Sequence, residues 1–166
     1  MNDNPAFYVT SLEEVIWGGT LVVITMTMHG IGIVGVLRVN RALKRWLGTT
    51  TSILHSLLPV IFTSWLIMLL HLTEVIVWAA FFLWKGAFPN RSIAYYFSLN
   101  EYTTVGSNYN LPLHWRLLEG MLATAGLLTF AWSTGVLFTL AQDFQEMYLQ
   151  NRKQQSQASE EPASRS

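Results

Sequence analysis

Three long apolar runs constrain this chain more than any other feature. Residues 15–37 read VIWGGTLVVITMTMHGIGIVGVL and carry no charge. Residues 57–84 hold one acid, Glu74, with His71 beside it, and residues 117–141 hold Glu119 near their start. About 20 apolar residues suffice to cross a bilayer. An isolated span must pair its backbone N–H groups within itself, which makes it a helix. The expected fold class is therefore an all-α integral membrane protein with three transmembrane helices. Composition agrees: 12% of residues are charged, against about 25% in a soluble domain. That excludes a disordered chain and an ordinary soluble enzyme. Ten basic and ten acidic side chains leave no net charge for binding nucleic acid, and the absence of cysteine excludes disulfides and thiolate chemistry.

Topology follows from the charges at the ends of the runs. Residues 1–14 contain Asp3, Glu13 and Glu14 but no Lys or Arg, so they lack the basic start of a signal peptide and are expected outside. Arg38, Arg41, Lys44 and Arg45 follow the first run. Such a cluster marks residues 38–51 as a cytoplasmic loop. The tail, residues 145–166, then lies inside and is expected to be partly disordered. Trp17, Trp84 and Trp115 fall at the outer interface and Trp46 at the inner one, as an aromatic belt. Small size and compact loops suggest a bacterial inner membrane.

The connection over residues 85–115 is long and not uniformly polar. Residues 92–103, SIAYYFSLNEYT, have helix-compatible spacing and an N-cap candidate in Ser92. This helix is too short to span; it can enter the membrane and return only if its backbone is buried in protein or lines a wet cavity. It leads into Thr103, Thr104, Val105, Gly106, Ser107 and Asn108, with Pro112 six residues after Gly106. RLLEGMLATAGLLTFAWSTG follows from Arg116, with Gly126 inside it.

In this order of elements the sequence resembles the pore of the potassium-channel superfamily. The likeness covers residues 52–144: an outer helix over 52–84, a pore helix over 92–103, a selectivity filter over 104–108 and an inner helix over 114–142. Residues 15–37 are an additional helix outside that unit. The resemblance implies a re-entrant pore helix, a homotetramer around one pore, passive conduction of K+ with some Na+, no cofactor and no enzymatic activity. It makes Thr103, Thr104, Val105, Gly106, Ser107 and Asn108 the filter and Gly126 the gating hinge. Filters of this kind replace a cation's water with rings of carbonyl oxygens. Gly106 is suited to the positive φ that turns a carbonyl toward the axis. The family's tyrosine, second glycine and acid are replaced here by Ser107, Asn108 and Tyr109, which weakens the outer filter. Asn tolerates positive φ better than other non-glycine residues, so Asn108 is expected to preserve the backbone path.

Several polar residues stand out in apolar surroundings. His29 lies near the middle of the first run, and His71 and Glu74 share one face of the second. Ionisable groups at such depth suggest a function by default; here the readings are interhelical hydrogen bonding, proton sensing, or a metal site whose ligands suit zinc. Asn100, Glu101 and Glu119 are candidates to support the filter backbone, with an Arg116–Glu119 helix-end pair as the plainer role for Glu119. No nucleotide loop or catalytic motif is present. The rival functions are a non-conducting scaffold that keeps the pore fold, and a membrane metal- or proton-sensing protein using His29, His71 and Glu74.

Overall fold

A computed structural model describes residues 8–47 and 53–160. Residues 1–7 of the expected outer terminus, residues 48–52 around the end of the basic loop, and residues 161–166 of the tail lie outside the described residues. The described residues are 84% helix, with no strand among them. Its elements are α1 (Leu12–Leu47), α2 (Ile53–Trp84), α3 (Arg91–Tyr102), a 3-10 turn (Leu113–Trp115) and α4 (Leu117–Glu160). Three helical stretches are long and apolar enough to cross a membrane: Leu12–Leu47, Leu57–Trp84 and Leu113–Gln150.

Helix boundaries follow local chemistry. Ser11 and Glu14 form a capping box at the start of α1: Ser11 Oγ accepts from the Glu14 N–H at 3.1 Å, and the Ser11 N–H donates to Glu14 Oε2 at 2.9 Å. Glu13 and Glu14 occupy its first turn and Lys44 and Arg45 its last, the order that the helix dipole favours. The cap of α3 is Asn90 rather than Ser92. Its backbone is extended (φ −144°, ψ 161°) and its Oδ1 accepts from the Ile93 N–H at 2.8 Å. Asn caps as well as Ser, and Ser92 is already inside the helix. Pro59 lies within α2. α4 continues to Glu160, into the tail expected to be partly disordered. From Gln142 to Glu160 the sequence has no Gly or Pro and many helix formers, so nothing local ends the helix.

The chain divides into two compact units. The first comprises Met1–Gly32 and Met68–Ala131 and holds the main apolar core. Trp78, Phe82, Phe97, Leu118, Leu122 and Ala125 are fully buried there. Phe97 packs on Phe82 and Phe88 with ring centroids 5.5 and 4.8 Å apart. A 12-residue helix is marginal alone in water, and this packing is what holds α3. Lys85 places its Nζ 4.4, 4.9 and 5.1 Å from the ring centroids of Trp17, Trp84 and Trp115. These three tryptophans thus form one cation–π cluster. The second unit comprises Ile33–Ile67 and Trp132–Ser166, with Ile33, Val36, Ile67 and Leu140 buried.

Within the first unit, one carboxylate serves two helix starts. Glu14, buried, also accepts from the N–H of Leu117, the first residue of α4, at 3.1 Å. Losing a cap costs about 0.5–2 kcal/mol, and this side chain acts at two helix starts. Glu14→Ala should therefore lower stability by about 1–4 kcal/mol, read as an earlier thermal unfolding transition in detergent. Glu14→Gln, which keeps an acceptor oxygen, should lose less than half of that.

Candidate functional site

The loop after α3 is built by hydrogen bonds that run back into the helix. The Thr104 N–H donates to the Glu101 carbonyl at 3.0 Å. The N–H groups of Val105 and Gly106 both donate to the Asn100 carbonyl, at 2.9 and 3.3 Å. The Ser107 N–H donates to Glu101 Oε1 at 3.0 Å. Four consecutive peptide N–H groups thus face α3. In a trans peptide the C=O points opposite the N–H, and no described peptide bond is cis. The carbonyls of Thr103, Thr104, Val105 and Gly106 consequently point away from α3, and all four residues are exposed.

This arrangement depends on backbone handedness. Gly106 has φ +83° and Thr104 has φ +61°. A glycine takes such an angle freely. A β-branched residue there is an outlier costing about 1–3 kcal/mol, and the paired N–H groups on either side hold it in place. Asn108 does not take a positive φ; Thr104 is the one described non-glycine residue that does. Beyond Gly106 the chain turns on a side chain instead: Ser107 Oγ accepts from the Tyr109 N–H at 3.1 Å.

Two carboxylates secure the loop from behind. Glu101 holds Ser107 as described, and Glu119 Oε1 accepts from the Leu111 N–H at 2.9 Å. Among the described residues no Arg116–Glu119 ion pair forms. Burial raises the Glu101 carboxyl above the usual glutamate range; the Ser107 N–H lowers it, and the neighbouring Glu119 carboxylate raises it further. Asn100 acts through its backbone carbonyl, while its side chain donates to the Tyr96 carbonyl at 2.7 Å. Gly126 sits in the unbroken α4 against the end of α3: a Cβ there would collide with the Tyr102 carbonyl oxygen.

His29, His71 and Glu74 come together in a buried cluster with two residues that sequence reasoning missed, Tyr102 and Thr129. His29 Nδ1 lies 2.9 Å from Glu74 Oε1, and His71 Nδ1 lies 3.5 Å from Glu74 Oε2. The Tyr102 hydroxyl donates to Glu74 Oε2 at 2.5 Å and lies 2.8 Å from His71 Nδ1 and 2.6 Å from Thr129 Oγ1. With its own proton on Glu74, the phenol oxygen accepts from the Thr129 hydroxyl, and the direction at His71 is set by which ring nitrogen carries the proton. No signal in the sequence sets these two apart, since Tyr and Thr are common in apolar helices. The proximity of Tyr102 to the loop is the one clue: it immediately precedes Thr103. Among the described residues, His29, His71 and Glu74 form a group of side chains able to hold a metal ion, each offering one ligand atom, all within 4.8 Å of one another. Comparison with protein-family models, with characterised proteins and with solved structures returns no match.

Proposed function

We propose that this chain is one subunit of a cation-conducting pore of potassium-channel type, with residues 103–106 supplying the filter. The observation that carries this reading is the row of four consecutive carbonyls directed away from α3 on an exposed loop. A dehydrated monovalent cation needs several such oxygens around it. One chain offers one wall, so rings require copies of the chain around a common axis; four is the number taken from the family resemblance. α3 would then be re-entrant, with the partial negative charge of its C-terminus directed toward the entering cation. Large apolar side chains exposed along the long helices, among them Ile31 at 70% and Ile61 at 62%, suit contact with lipid or with other copies. In this reading the basic residues after the first span favour a cytoplasmic loop and tail with the N-terminus outside, and the compact loops suit a bacterial inner membrane. No cofactor, enzymatic step or nucleic acid enters the reading.

The hydrogen bonds that direct carbonyls away from α3 reach as far as Gly106, and Ser107 and Asn108 stand where the family has its tyrosine and second glycine. The filter therefore has intact inner sites and no outer site of the usual kind, and K+ selectivity over Na+ should be reduced but not lost. The test is a bi-ionic reversal potential, K+ against Na+, on purified tetramer in a planar bilayer. The expected value lies between zero and the K+ equilibrium potential. Gly106→Val should abolish the current, because a β-branched residue resists φ +83°, and Thr104→Leu should abolish it too. Absence of current in a sample verified as tetrameric overturns the reading and favours a pore-fold scaffold.

A further inference from the structure

We propose that His29, His71 and Glu74 bind one divalent transition-metal ion of the zinc class, with the Tyr102 hydroxyl as a fourth ligand. The inference is independent of ion conduction and rests on geometry. The donors come from three separate helices, α1, α2 and α3, and converge in the core of the first unit. Around an ion with bonds of about 2.0–2.1 Å, tetrahedral ligand atoms lie about 3.3 Å apart. The donor pairs here are separated by 2.9 Å (His29 Nδ1 to Glu74 Oε1), 3.5 Å (His71 Nδ1 to Glu74 Oε2) and 2.8 Å (His71 Nδ1 to the Tyr102 hydroxyl). The ligand atoms of the triad all lie within 4.8 Å of one another, so donors would close in by up to about 1.5 Å to seat the ion.

The chemistry of the donor set selects the class. Two imidazoles and a carboxylate suit Zn2+ and its neighbours, whereas Ca2+ and Mg2+ prefer all-oxygen shells. Each imidazole would bind through Nδ1 with its proton on Nε2. A bound cation would also sit beside the buried Glu74 carboxylate, whose partners here are His29, His71 and Tyr102. Thr129, hydrogen-bonded to Tyr102, would fix the fourth ligand in place. His71 gives a way in, since its side chain is 9% exposed while those of His29 and Glu74 are fully buried.

The test uses the full chain in detergent, stripped with a chelator and dialysed. Zn2+ titration by calorimetry should give one ion per chain. Co2+ in its place should produce visible d–d bands of four-coordinate intensity on the wild-type protein, a readout that requires no variant. His71→Ala and Glu74→Gln should abolish both signals, and Thr129→Val should weaken binding by about 10-fold. Helical content and elution volume check that each variant is folded. His114→Ala, which alters a histidine outside the cluster, should bind as wild type. Wild-type protein that binds no Zn2+, or stoichiometric binding that survives His71→Ala in a folded sample, overturns the proposal. So does binding that is lost on His114→Ala instead. No ionic current is read, so either result leaves the conduction reading untouched.

Discussion

Gly126→Val should prevent native packing of the first unit, and Gly126→Ala should lower stability by about 1–3 kcal/mol, the usual cost of overpacking. A Cβ at this position collides with the Tyr102 carbonyl oxygen and stands 2.9 Å from the Tyr102 carbonyl carbon and 3.2 Å from its Cγ. Tyr102 has no freedom to retreat. It is buried, and its hydroxyl is fixed to Glu74 and Thr129. The remaining escape is separation of α3 from α4, which would open the core around Phe97, Leu122 and Ala125. Because Tyr102 precedes Thr103 directly, the same displacement should disturb the carbonyl row. Thermal unfolding and current should therefore fall together in Gly126→Ala, by about 2–4 °C for each kcal/mol lost. A gating hinge predicts otherwise: altered opening at unchanged stability. A Gly126→Ala protein with wild-type unfolding temperature would rule out the close-packing role.

The helical architecture was legible because long apolar runs in this composition have few alternatives. His29, His71 and Glu74 were legible for a related reason: ionisable groups are rare at such positions, so each one is conspicuous. The shape of the loop was only half legible. Gly106 could be assigned its positive φ from residue type, but the same logic pointed to Asn108 and missed Thr104. Intrinsic preference disfavours Thr104 there. The Asn100 carbonyl, collecting two N–H groups, overrides it. Which acceptor lies behind a loop is a tertiary fact with no local signature. Glu14 shows the opposite case. Ser11 and Glu14 carry the spacing of a capping box in plain view, yet no local pattern says that the same carboxylate also reaches Leu117, 103 positions away. The α3 cap differs by a smaller margin. Asn90 and Ser92 are both good caps, and the extended backbone at Asn90 decides between them.

Glu101 separates two ways in which an acid behind a filter can act, bracing the backbone or attracting cations by its charge. If it braces, Glu101→Ala leaves the Ser107 N–H without its acceptor, a loss of about 1–3 kcal/mol. The population of the conducting arrangement should then fall by about 5- to 150-fold. Glu101→Gln keeps an oxygen at the same place and should conduct nearly as wild type. If charge is what matters, Gln and Ala should fail alike. The geometry favours the brace: the carboxylate oxygen is 3.0 Å from the Ser107 nitrogen. Current per tetramer, measured for wild type, Gln and Ala under identical K+ gradients, distinguishes the two. Near-wild-type current in Gln with loss in Ala assigns Glu101 to holding the loop, and equal loss in both assigns it to the field that the cation feels.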